Sequence, residues 1–213
     1  ENLKTLISLR PSLLHVGDRG LLLFIRYLST PVGFNFLKNA NFLNYELNRW
    51  KENFNLKYVK IVEDLLNETL SCHQRSEDGT YGRRSDKKIN SKKTAFTPPH
   101  LYGELAKHQE GLELLIQEKL LDSMFQIVRD GCFADELKIL QLKAALWAIG
   151  NVGASYLGFQ LIVESHLIPI IVKLAAEASV ISIRGTCFYV LGLLASTEDG
   201  ADYLKKLGWE TVR

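Results

Sequence analysis

The sequence predicts an all-α protein of the armadillo/HEAT-like α-solenoid class, a row of stacked helical hairpins. Two observations predict the row itself: a short pattern that recurs four times, and two apolar stretches that align one repeat apart. A third, apolar spacing near 3.6 residues through most of the chain, predicts that its parts are helices. The pattern is a glycine, a variable residue, a polar residue and two apolar ones. It reads Gly33-Phe34-Asn35-Phe36-Leu37, Gly111-Leu112-Glu113-Leu114-Leu115, Gly158-Phe159-Gln160-Leu161-Ile162 and Gly200-Ala201-Asp202-Tyr203-Leu204. Nine residues beyond each glycine stands a large apolar residue: Phe42, Leu120, Leu167 and Trp209.

Successive glycines are 78, 47 and 42 residues apart. The last two intervals match the period of HEAT and armadillo arrays, about 40 to 47 residues. The first is nearly two units long and holds either a degenerate repeat or an insertion. Leu142-Lys143-Ala144-Ala145-Leu146-Trp147 lies 41 residues ahead of Ile183-Arg184-Gly185-Thr186-Cys187-Phe188, and each reads as the apolar-stripe helix that opens a repeat. One helix pair cannot cover its own apolar face, whereas stacked neighbours bury a continuous core.

Taken in order, the apolar spacing predicts helices near 1–9, 18–30, 32–41 and 42–71, the last broken around Asn53. Thr30 before Pro31 supplies an N-cap followed by a first-turn proline. Leu43, Leu47, Trp50, Phe54, Tyr58, Ile61, Leu65 and Leu66 follow at helical steps and read as a core stripe. From His73 to Pro99 the chain turns polar and is punctuated by Gly79, Gly82, Pro98 and Pro99, with seven basic residues against three acids within His73 to Thr97. Beyond it helices are expected near 100–107, 109–118, 120–130, 135–153, 155–165, 167–178, 180–195 and 198–207, with Pro169 in a first turn. No strand is needed. The organisation is an N-terminal helical-repeat block (1–72), a polar, basic, flexible loop (73–99) and a C-terminal armadillo-like repeat block (100–213).

The 213 residues, 46% of them apolar, suffice for a large core. Mean hydropathy of −0.02 and the lack of an 18-residue apolar run argue against membrane insertion. A net charge of +2 gives no electrostatic case for nucleic acid. Met124 is the single methionine and the chain starts inside an amphipathic pattern, which reads as a segment of a longer polypeptide. Cys72, Cys132 and Cys187 are few and scattered, the usage of a reducing, cytoplasmic compartment.

No nucleophile stands beside a base and no carboxylate pair is placed for acid–base work, so the chain reads as a non-enzyme. Cys187 sits on a predicted buried face and reads as core. His15, His73, His100, His108 and His166 form no metal-ligand spacing with the cysteines, and Gly150, Gly153 and Gly158 follow no strand, so no metal or cofactor is expected. Ser85 and Ser91, among the loop's basic residues, are candidate phosphorylation sites. Trp147 and Asn151, one helical turn apart, are the candidate partner-binding residues. Trp147-Ala148-Ile149-Gly150-Asn151 resembles the Trp/Asn ladder with which importin-type armadillo adaptors hold extended peptides. That likeness implies a Trp147 packed on a peptide and an Asn151 bonded to its backbone. The next repeat has Phe188 and Gly192 in their place, which favours packing between repeats.

Longer stretches resemble the Rictor family. They are Leu9-Arg10-Pro11-Ser12-Leu13-Leu14-His15 with Gly20-Leu21-Leu22-Leu23, His100-Leu101-Tyr102-Gly103-Glu104-Leu105, Leu142 to Asn151, and Ile183 to Leu193. The likeness covers nearly the whole chain and weakens within 73–97. It implies a helical-repeat segment of a non-catalytic scaffold in the second TOR kinase complex. Its implied partners are the TOR kinase and a Sin-type subunit, with AGC kinases such as Akt as indirect substrates, and its implied place is the cytoplasm, reaching membranes only through the complex. An importin-like peptide-binding adaptor is the alternative function, and regulation of GTPase nucleotide exchange a third.

Overall fold

The computed structural model describes residues 22, 24–70, 73–75, 81–83 and 97–209. Helical residues 22, 24 and 25 tighten into the 3-10 turn Arg26–Ser29. Then come α1 (Pro31–Asn39), α2 (Phe42–Arg49), a π-helical stretch (Trp50–Phe54) and α3 (Asn55–Leu70). After the short strands β1 (His73–Arg75) and β2 (Tyr81–Arg83) follow α4 (Leu101–Leu105), α5 (Gln109–Gln117), α6 (Asp122–Asp130) and α7 (Glu136–Gly153). The chain continues through α8 (Tyr156–Glu164), α9 (Ile168–Glu177), α10 (Ile181–Leu194) and α11 (Glu198–Lys206).

The recurring pattern is one helix–turn–helix junction built four times. Three residues before each glycine, Thr30, His108, Ser155 or Thr197 caps α1, α5, α8 or α11, its side chain accepting the glycine N–H. Each glycine faces the main-chain carbonyl six residues upstream, that of Tyr27, Leu105, Val152 or Leu194, at a spacing no Cβ would fit. Eight residues past each glycine the backbone turns left-handed at Asn41, Lys119, His166 and Gly208. There the N–H donates to the carbonyl of Lys38, Ile116, Val163 or Lys205, closing the helix. That reversal turns the following residue inward: Phe42, Leu120 and Leu167 are buried, and Trp209 packs against the core.

Junctions stack like upon like. The 3-10 turn packs on α4, α4 on α7 and α7 on α10; α1 lies against α5 and α5 against α8; α6 lies against α9. Between α8 and α11, the Gln160 amide donates to Asp199 at 3.3 Å, and the Phe159 and Tyr203 rings meet edge-on at 6.2 Å. Along one edge each unit bonds the last: His108 Nε2 meets the Leu28 carbonyl at 2.8 Å, and the Ser155 and Ser196 hydroxyls donate to the Ala106 and Ala154 carbonyls at 2.9 and 3.4 Å.

The 78-residue interval is settled by these contacts. Phe34 of the first junction lies 5.1 Å from the His108 ring of the second, so the two are direct neighbours. The interval is one unit lengthened by an insertion.

Three expectations change. Strands occur: His73–Arg75 pairs antiparallel with Tyr81–Arg83, His73 opposite Arg83, so part of the expected loop is a hairpin held by backbone bonds that need no apolar pattern. The expected helix over 100–107 is only the five residues of α4, ended where Ala106 caps it. The predicted stripe through 42–71 drifts as well. Leu43, Leu47, Trp50, Phe54 and Tyr58 are buried, but beyond them Val59 and Val62 are, with Ile61, Leu65 and Leu66 only half so. The π-helical stretch, where the sequence predicted a break, inserts a residue and rotates the face that follows it. Residues 1–21, 23, 71–72, 76–80, 84–96 and 210–213, with the helix expected near 1–9 and both candidate phosphorylation sites, Ser85 and Ser91, lie outside the described residues.

Candidate functional site

Helix α7 is buried from Leu142 onward on nearly every side because α3, α4, α6, α8 and α10 surround it. Gly150 lets α10 approach closely, a Cβ there standing 3.0 Å from Val190. The stripe Lys143, Trp147 and Asn151 carries the candidate binding residues, and α3 lies across it.

Trp147 is 1% exposed. Its ring meets Tyr58 of α3 edge-on at 6.4 Å and Tyr189 of α10 at 5.6 Å. The Asn151 amide donates to the Trp147 carbonyl at 2.8 Å, its side chain hydrogen-bonds Tyr58, and its Cβ backs onto Gly103 of α4. At the other end of the stripe, the buried Lys143 ammonium is paired with Glu63 of α3 at 2.9 Å. Tyr58 near 147–151 and Glu63 near 143 make α3 antiparallel to α7. The chain's own helix thus covers the stripe that carries Trp147 and Asn151. Trp147, expected as a candidate partner-binding residue, packs between α3 and α10 with its ring buried.

Around Tyr58 is a buried aromatic cluster. Trp50 lies 4.6 Å from the His100 ring and 5.6 Å from Tyr58, and His100 is 4.8 Å from Tyr58 and 5.3 Å from Tyr102. The Tyr58 hydroxyl donates to the Pro98 carbonyl at 2.6 Å, and the Asn55 amide donates to the Trp50 carbonyl and the Tyr102 hydroxyl at 2.9 and 3.2 Å. Burial pushes the Tyr58 hydroxyl pKa up, Asn151 opposes this and the Glu104 carboxylate adds to it. These bonds fasten the segment after the insertion to α3.

His100 caps α4, its Nδ1 accepting the Tyr102 N–H at 3.2 Å, so Nε2 bears the proton of the neutral ring. Burial lowers its pKa from 6.5 to about 3. Between those values the unfolded chain takes up a proton that the folded chain refuses, so stability falls as pH falls through that window. Melting curves from pH 7 to 4 should therefore fall more steeply for the wild type than for His100→Asn, whose amide keeps the cap. Parallel slopes would mean that His100 titrates normally in the folded state.

Cys187 is buried, as expected of core, and burial pushes its thiol up to about 12. Among the described residues no three His, Cys, Asp or Glu side chains gather to hold a metal, and no single helix is long and apolar enough to cross a membrane. Sequence reasoning missed Tyr58 and Glu63 as the cover of the stripe. The one hint was Lys143, a buried lysine that calls for an acid, but nothing in the sequence says which one.

Two family models match: residues 1–72 match one described as the Rapamycin-insensitive companion of mTOR RasGEF_N domain, and 140–210 one described as Rapamycin-insensitive companion of mTOR, domain 5. The whole chain is 42% identical over 213 residues to the human Rapamycin-insensitive companion of mTOR, of which it spans 12%. It is 37% identical to the Target of rapamycin complex 2 subunit ste20 of Schizosaccharomyces pombe, over 99% of the chain and 16% of that protein. With the Target of rapamycin complex 2 subunit TSC11 of Saccharomyces cerevisiae it shares 33% over 189 residues, 85% of the chain and 12% of that protein. Similarity that runs along the whole chain, in relatives from human to yeast, establishes that this chain belongs to the Rictor family.

Proposed function

We propose that the chain is a non-catalytic scaffold segment of the second TOR kinase complex, an armadillo/HEAT-type solenoid that supports assembly of the TOR kinase with a Sin-type subunit and recruitment of AGC kinases such as Akt. The observation that carries the reading is similarity, over 99% and 85% of the chain, to two proteins named as Target of rapamycin complex 2 subunits. The stacking of like helices supports it physically, because units that lean on neighbours in a line make a long, stiff support. The reading includes a cytoplasmic location, with membranes reached only through the complex. An importin-like adaptor is disfavoured by the closure of α3 over Trp147 and Asn151.

The full-length protein carrying this segment should co-purify with the TOR kinase. Disrupting the stack with Gly158→Val should reduce both that association and phosphorylation of an AGC-kinase substrate. Retention of neither partner by the unaltered protein would end the reading.

A further inference from the structure

Among the described residues, the stripe of α7 that α3 covers has a bare counterpart on α10. Moving 41 residues along the repeat carries Lys143, Trp147 and Asn151 to Arg184, Phe188 and Gly192. These three are exposed, Phe188 by 51%. A side chain added at Gly192, or at Gly185 two turns earlier, would meet nothing within 4 Å. Ile181, 81% exposed, extends the stripe toward the start of the helix. Trp209 lies tilted against Phe188 at 5.2 Å and walls a groove of about 470 Å³ with Leu191, Ala201 and Lys205.

We propose that this stripe docks an amphipathic helix of a partner protein, laid antiparallel on α10 as α3 lies on α7, with an aromatic side chain against Phe188 and a carboxylate on Arg184. The α3–α7 contact is the pattern for it, and the bare stripe occupies the same register one unit further along the row. Charge agrees: Arg184 stands where Lys143 takes Glu63, and its Nε already donates to the Ala175 carbonyl at 3.2 Å, which fixes the side chain with further N–H donors to offer. The two glycines agree as well. Exposed inside a helix they are less favourable than alanine, but their bare backbone admits a second helix more closely than a methyl group would. The inference stands on this register alone and does not require membership of any kinase complex.

The test uses the α3 sequence itself as probe, a labelled peptide of residues 55–70 stapled between the exposed positions 60 and 64 to hold it helical. Anisotropy titration into the full chain is expected to saturate at one peptide per chain. Arg184→Glu should weaken binding on the order of ten-fold, and a peptide carrying Glu63→Lys should recover it. Gly185→Ala with Gly192→Ala should raise the melting temperature while weakening binding, a combination that general destabilisation cannot produce. Tyr156→Ala, exposed on α8, should leave binding unchanged. The proposal is overturned by no saturation up to about 1 mM, by binding indifferent to Arg184→Glu and to the glycine pair, or by dimerisation of the chain through Phe188, which would make a second copy the occupant.

Discussion

Replacing Trp147 by alanine is expected to lower the unfolding free energy by about 3 to 5 kcal/mol. The ring is closed in by Tyr58 and Tyr189, and α7 is held by five helices, so the walls cannot collapse into the space left behind. One term works the other way. The indole N–H is buried and makes no hydrogen bond among the described residues, so its removal returns about 1 kcal/mol or more. The cavity dominates, since a lost indole removes many close contacts and the unpaired N–H is one group. Phe188→Ala is the internal control, as it sits at the matching register but is half exposed and should cost less than about 1.5 kcal/mol. Urea unfolding of both variants decides the matter. Similar losses at 147 and 188 would show that the two positions are equally covered, and the closure of α3 over α7 would be wrong.

The junctions were legible because their chemistry is local. A glycine that must pass a carbonyl, a cap three residues before it and an apolar residue nine beyond it all lie within one turn-and-helix span, so spacing alone reveals them. His108 shows the limit of that legibility. A hydroxyl is the usual cap, and an imidazole does the same work here while its far nitrogen reaches the Leu28 carbonyl of the preceding unit. The cover of Trp147 was not legible, because Tyr58 and Glu63 lie 89 and 80 residues from the groups they meet and nothing in their own neighbourhood points there. The rotation of α3 was hidden for a related reason. Trp50 to Phe54 reads as ordinary helix in composition, and only backbone bonding distinguishes the π-helical stretch that shifts Val59 and Val62 inward. Between these cases lies the first glycine interval, whose length announced a departure while leaving its nature to the contact between Phe34 and His108.

Gly158→Ala should destabilise the chain although it adds a single methyl group. The new Cβ would stand 2.8 Å from the Val152 carbonyl carbon and 2.8 Å from Ser155 Oγ, with the carbonyl oxygen nearer still. Neither neighbour is the loose end of a flexible side chain. Relief requires the junction to spread, which weakens the Ser155 cap, worth about 1 kcal/mol, and the hydroxyl bond from Ser155 to Ala106 of the preceding unit, worth about as much. Overpacking strain adds a further ~1 to 3 kcal/mol. Alanine's helix propensity recovers at most about 1 kcal/mol, so the net loss is on the order of 2 to 4 kcal/mol. Because Ser155 links two units, the loss should appear in global unfolding and not as fraying of α8 alone. The same substitution at Gly185 or Gly192, where the space is open, should instead stabilise by up to about 1 kcal/mol. Opposite signs for one chemical change, read from urea midpoints at constant slope, would separate glycines required by a close carbonyl from glycines that merely leave a surface bare. Equal shifts at 158 and 192 would remove the steric account of the repeat.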